Sequence, residues 1–118
     1  MYKAKYFSQE ELSKVSSSPL IINDDSLARL DALREHCGVP LVLNSAYRSV
    51  EHEKSHGRSG LSAHTRGRAF DIRCHDSLLR WKIVVAALAV GFNRIGIGKT
   101  YVHVDDDPAM SSPRIWIY

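Results

Sequence analysis

Two short stretches of this chain hold residue types that bind metals. The first is Ser62-Ala-His64-Thr-Arg-Gly67-Arg-Ala69-Phe-Asp71-Ile72, in which an aspartate sits between apolar neighbours in a segment that alternates like a strand. An ionised carboxylate buried in such a place is costly unless a cation or hydrogen bonds offset it. A metal ion is one such offset, and His64 stands close upstream, with Gly67 letting the chain turn between the two. Ala69, on the same strand face as Asp71, leaves room beside an ion. A salt bridge from Arg68 or Arg73 to Asp71 is the plainer alternative. The second stretch is Tyr101-Val-His103-Val-Asp105, where polar residues alternate with valines. That period puts Tyr101, His103 and Asp105 on one face and Val102 and Val104 toward the core. Two histidines and one carboxylate, with a fourth position left to water, are the ligand set of a catalytic zinc site. A histidine merely hydrogen-bonded within a strand is the alternative to a ligand.

These residues need elements to hold them. Ser8 with Glu11 reads as a capping box opening a helix from Gln9 to Val15, which Ser16-Ser-Ser-Pro19 ends. Asp24 or Asp25 caps a second helix with Leu27, Leu30 and Leu33 on one apolar face, closed by Gly38 and followed by Pro40. Leu41-Val-Leu43 reads as a buried strand running into Asn44-Ser-Ala-Tyr47. From Arg48 to Arg66 the chain is polar and reads as a long loop with one helical turn around Val50 to Ser55, and loops of that length in small domains are usually functional or disordered. Ala69 to Arg73 is a strand. Asp76 or Ser77 caps a helix from Leu78 to Val90, closed by Gly91 and apolar on nearly every side after Lys82, which places it in the core. Arg94 to Gly98, Tyr101 to Asp105 and Arg114 to Tyr118 are three short strands, with turns at Gly98-Lys-Thr100 and Asp106-Asp-Pro108. Helices lead and strands follow without βαβ alternation. The expected fold is α+β: a single domain over residues 1–118 with an antiparallel sheet of about four strands and helices packed on it.

Bulk properties narrow the rest. With 118 residues, 44% of them hydrophobic, the chain buries a core without staples. The net charge of +3 suits approach to an anionic surface such as a cell wall, a phospholipid headgroup or nucleic acid. No basic run or nucleic-acid motif accompanies it, so a DNA-binding role has no support. Cys37 and Cys74 have no Cys-x-x-Cys spacing and read as small reduced hydrophobes. No apolar stretch approaches the roughly 18 residues of a membrane span. Residues Met1 to Phe7 lack a secretory signal's apolar run. An extracytoplasmic substrate would then require export from elsewhere: a holin, lysis, or a leader outside this chain.

The pattern His-x-x-Gly-x-Ala-x-Asp, as His64, Gly67, Ala69 and Asp71, resembles the signature of the LAS-type zinc peptidases. That group includes the D-Ala-D-Ala carboxypeptidases and phage L-alanyl-D-glutamate endopeptidases, and shares its fold with the hedgehog signalling domain. Phe7-Ser-x-x-Glu-Leu12, Asn44-Ser-Ala-Tyr-Arg48 and Tyr101-Val-His-Val-Asp105 are similar to further segments of the family in the same order. The resemblance implies a hedgehog-like fold with one zinc ion per chain, held by His64, Asp71 and His103. It implies a monomeric enzyme acting on peptidoglycan peptides at the cell wall, in the periplasm, outside the cell, or released at phage lysis. It also implies Arg48 as a cation near the scissile carbonyl or a peptide carboxylate, with Ser62 and Tyr47 at the substrate. Arginine's planar fork suits that task; a surface ion pair for Arg48 and a core position for Tyr47 are the alternatives.

The sequence departs from the family at the general base. Many members carry an acid three residues before the last histidine, where this chain has Thr100; others carry a histidine two residues before it, where this chain has Tyr101. Neither is an efficient proton acceptor near neutral pH. Asp105 is the expected substitute, then His52 and His56 on the long loop, with turn capping as the competing role for Asp105. The expected function is hydrolysis of a peptidoglycan peptide bond. The alternative is a catalytically silent zinc module that binds peptidoglycan or a protein partner.

Overall fold

A computed structural model describes residues 2–13 and 21–118. In chain order the elements are α1 (Gln9–Leu12), α2 (Asp24–Cys37), β1 (Leu43–Ser45), α3 (Val50–Ser55), β2 (Ala69–Arg73), α4 (Ser77–Val90), β3 (Arg94–Ile97), β4 (Tyr101–Asp105) and β5 (Arg114–Ile117). Local chemistry sets most of the ends. Ser8 and Glu11 form the reciprocal capping box of α1. The described helix ends at Leu12 with Ser13 as its C-cap, and the rest of the expected helix to Val15 and its Ser16 to Pro19 stop lie outside the described residues. The cap of α2 is Asn23, one residue before the expected aspartates. Its Oδ1 accepts from the Ser26 N–H, and Asp24 and Asp25 occupy the first turn, where carboxylates suit the positive end of the helix dipole. Asp76 caps α4, and Gly38 and Gly91 end their helices in the left-handed conformation.

The α+β class is as expected, but the sheet has five strands and is mixed. Its order is β1-β2-β4-β3-β5, antiparallel except for the parallel pair β3–β5. The reason lies in the hairpin. β4 ends at Asp105 beside the start of β3 at Arg94, and β5 begins opposite that same Arg94. A connection leaving β4 there and crossing to the far side of β3 can only run alongside β3 in its own direction.

The pleat sorts the sheet into two faces. Phe70, Ile72, Val102, Val104 and Ile95 point to one side and pack on Leu27, Leu30 and Leu33 of α2 and on Ile83, Ala86 and Ala87 of α4. Each fully buried aliphatic or aromatic side chain contributes about 1.5–3 kcal/mol. Cys37 and Cys74 are free and buried with this core, and burial pushes both thiols up. Contrary to expectation, α4 is not enclosed: Leu78, Trp81 and Leu88 are exposed on its outer side. Among the described residues a single helical layer covers the sheet, so one face of α4 meets the sheet and α2 while the other is left open.

The stretch from Ala46 to Arg68, carrying α3, crosses the opposite face of the sheet. Gly67 tethers its end. Its carbonyl accepts from the Asn23 N–H, its φ is +69°, and a Cβ there would lie 2.3 Å from the Ile21 carbonyl oxygen. Gly67→Ala is therefore expected to cost roughly 1–3 kcal/mol, read as a lower denaturation midpoint. Unchanged stability would show that this close approach is not a tether.

Candidate metal centre

The open face of the sheet carries one cross-strand row, Ser45–Asp71–His103–Gly96–Trp116, running over β1, β2, β4, β3 and β5. Direct pairing of Asp71 with His103 brings residues far apart in sequence side by side. His64 reaches the same point from the covering loop. His103 Nδ1 lies 2.9 Å from Asp71 Oδ1, and His64 Nε2 lies 3.4 Å from Asp71 Oδ2. One ligand atom from each of His64, Asp71 and His103 falls within 4.8 Å of the others, and all three residues are buried.

The outer nitrogen of each histidine is held. His64 Nδ1 lies 2.6 Å from the Ala46 carbonyl oxygen, and His103 Nε2 lies 2.6 Å from Asp105 Oδ2. When those outer nitrogens donate, the inner ones present lone pairs toward Asp71. Metal-binding histidines characteristically have this outer support. The donor set, two imidazoles and a carboxylate, suits zinc chemistry, so the residues fit a divalent metal.

The alternative salt bridge from Arg68 or Arg73 to Asp71 does not form among the described residues. Arg68 pairs with Asp106, and the arginine on Asp71 is Arg48, whose Nη2 donates to Oδ2 at 2.9 Å. Arg48 also donates through Nε to Ser45 Oγ and through Nη1 to Glu53 Oε2 at 3.1 Å. The guanidinium is thereby fixed beside the three converging side chains.

A cleft of about 340 Å³ opens over this group, lined among others by Arg48, Arg58, Ser62, Tyr101 and Trp116. Ser62 thus reaches the cleft. Tyr47 does not line it and is buried, with its N–H donating to the Leu12 carbonyl. His52 and His56 also lie outside the lining; their rings stack at 4.3 Å, and His56 Nδ1 bonds to the His52 carbonyl. Asp105 lines the cleft yet has no exposed surface, and donors engage both its oxygens: Arg94 Nε, His103 Nε2 and the Asp107 N–H.

Sequence reading missed Glu53, Arg94 and the pair Trp116 and Tyr118. Glu53 sits in Glu51-His-Glu-Lys54, which has the composition of a solvated helix, yet it is buried against Arg48. Arg94 and Trp116 reach the site only through strand pairing, which no local pattern reports.

The charges are coupled. Burial pushes the Asp71 carboxyl up, but hydrogen bonds from His103 and His64 and the charges of both rings hold it well below the usual carboxylate range. Burial opposes a charge on His103, yet its hydrogen bonds to Asp105 and Asp71 raise its pKa above the ordinary 6.5. In metal-free protein the His103 imidazolium therefore stabilises the fold fully below the unfolded pKa, and that contribution is lost as pH rises through the raised folded value. A metal held at Nδ1 would displace that proton, so zinc affinity is expected to rise with pH across this range, by roughly tenfold per unit for one displaced proton. Calorimetric titration of metal-free protein between mildly acidic and neutral pH checks this, and a flat affinity would contradict it.

Comparison with known proteins agrees with this geometry. No curated protein matches the chain. A family model described as Peptidase M15 matches residues 5–105, from before α1 to the end of β4, and so includes all three converging side chains. The chain belongs to the peptidase M15 family.

Proposed function

We propose that this chain hydrolyses a peptide bond in the peptide stems or cross-links of peptidoglycan, using one zinc ion held by His64, Asp71 and His103. The observation that carries the reading is the convergence of three buried side chains, two of them histidines whose outer nitrogens are already tied, at the floor of an open cleft. When bound, zinc supplies Lewis acidity for a scissile carbonyl and lowers the pKa of water. The protein's own residues do the rest. Arg48, held by Ser45 and Glu53, presents a fixed cation to a developing oxyanion or to a substrate carboxylate. Arg58 adds a second cation to the cleft, and Ser62 a hydroxyl. Buried surroundings strengthen these interactions relative to water.

The reading takes residues 1–118 as one domain acting as a monomer at the cell wall, in the periplasm, outside the cell or after phage lysis. The net charge of +3 suits an anionic wall. Among the described residues no helix is long and apolar enough to cross a membrane. Incubation with purified peptidoglycan, with and without a chelator, followed by mass analysis of products, tests the activity. Stem-peptide fragments are expected only with zinc, and His64→Ala or His103→Ala is expected to lose both zinc and products. Stoichiometric zinc in a wild-type protein that releases nothing would instead make the chain a silent metal module binding the wall or a protein partner.

Two roles meet at Asp105: proton acceptor for the attacking water, or holder of His103. Complete burial and three donors on its two oxygens favour the second, with the Asp107 N–H adding the turn-capping contact. Asp105→Asn separates them. A holder predicts zinc affinity weakened roughly 10–100-fold. A base predicts zinc retained and turnover lowered roughly 10²–10⁴-fold. Zinc affinity and turnover at saturating zinc, measured on the folded fraction, decide between them.

A further inference from the structure

The cleft has one wall that the peptidase chemistry does not use. Trp116 follows His103 and Gly96 in the cross-strand row, and Tyr118 comes two residues later on the same face. Tyr118 meets Tyr101 with ring centroids 5.2 Å apart and Trp116 at 6.1 Å, and Trp116 meets the metal-site ring of His103 at 5.4 Å. All three aromatics line the cleft. Trp116 and Tyr118 lie beyond the residues matched by the family model.

This wall is built. A Cβ on Gly96 would come within 2.6 Å of the Tyr118 ring and 2.7 Å of the indole, so the bare strand between β4 and β5 is what lets the rings lie against the sheet. Arg94, itself anchored on Asp105, sits 4.9 Å from the Trp116 ring centroid and pins the indole. Tyr118 is nonetheless 61% exposed. Rings fixed beside a site and left open to water offer a flat binding surface at small ordering cost.

We propose that Tyr101, Trp116 and Tyr118 form a subsite that stacks the flat face of a pyranose ring, so that the enzyme prefers peptides still attached to a sugar. The inference rests on the peptidoglycan reading. Aromatic faces carry negative charge density that attracts the polarised C–H groups on a sugar's face. The wall also carries polar atoms, the Trp116 indole N–H and the hydroxyls of Tyr101 and Tyr118, which interact with one another through Tyr118 and retain acceptor and donor capacity that a sugar's hydroxyls would share. An apolar peptide side chain would cover the faces and take these groups from water without offering them a partner.

The chain has two tryptophans, so Trp81→Phe, a change on the outer side of α4, leaves Trp116 as the sole indole reporter. Titrating that protein, with and without zinc, with a β-1,4-linked N-acetylglucosamine tetramer is expected to shift Trp116 emission saturably, and Tyr118→Ala to weaken this roughly tenfold. In cleavage assays the ratio of kcat/KM for sugar-bearing over sugar-free stem peptide is expected to be about ten or more, and to fall toward one in Tyr118→Ala. Emission that responds to sugar-free peptide but not to the tetramer, or a wild-type ratio near one, overturns the proposal. Tetramer binding by a protein that cleaves no peptidoglycan would leave the subsite standing and overturn the catalytic reading instead.

Discussion

A buried aspartate in the middle of the sheet sets the terms for everything around it. Asp71 is held by His64, His103 and Arg48, which come from the covering loop, the neighbouring strand and the turn after β1. An isolated charge at that depth would be expelled or neutralised. The fold answers with three positive or hydrogen-bonding partners, and each partner needs its own support. His64 leans on the Ala46 carbonyl, His103 on Asp105, and Arg48 on Ser45 and Glu53. Asp105 in turn is held by Arg94. Support thus extends outward in two steps from one carboxylate, which is why the atoms that could hold a metal already converge.

The sheet makes this possible by separating two incompatible environments across one layer of backbone. Residues at alternate positions of β2 and β4 belong either to the hydrocarbon core beneath α2 and α4 or to the charged row on the open face. A one-residue slip of β4 against β2 would put valines at the site and His103 among the leucines, so burial on one side enforces the register on the other. The same economy explains α4. One helical layer is enough to close the core, and its outer apolar residues remain exposed because no further layer covers them among the described residues.

The cleft inherits its asymmetry from this arrangement. The loop side supplies Arg48 and Arg58, and the strand side supplies Tyr101 and Trp116. Arginines from the loop and aromatic rings from the strands thus share the lining of one cleft above the three converging side chains.

Much of this was legible in the residues themselves. The capping box at Ser8 and Glu11, the glycine ends of α2 and α4, the strand at Ala69–Arg73 and the shared face of Tyr101, His103 and Asp105 all follow from local stereochemistry. The spacing of His64, Gly67, Ala69 and Asp71 is local as well, which is why a candidate metal group could be picked out from the sequence. What the sequence could not report is pairing between distant segments. The parallel placement of β5, the burial of Glu53 on Arg48, the occupation of Asp105 by Arg94, and the arrival of Trp116 beside His103 all depend on which strand lies next to which. Local conformation depends on a residue and its near neighbours, whereas strand order depends on where the chain can cross a folded core, and only the assembled tertiary structure decides that.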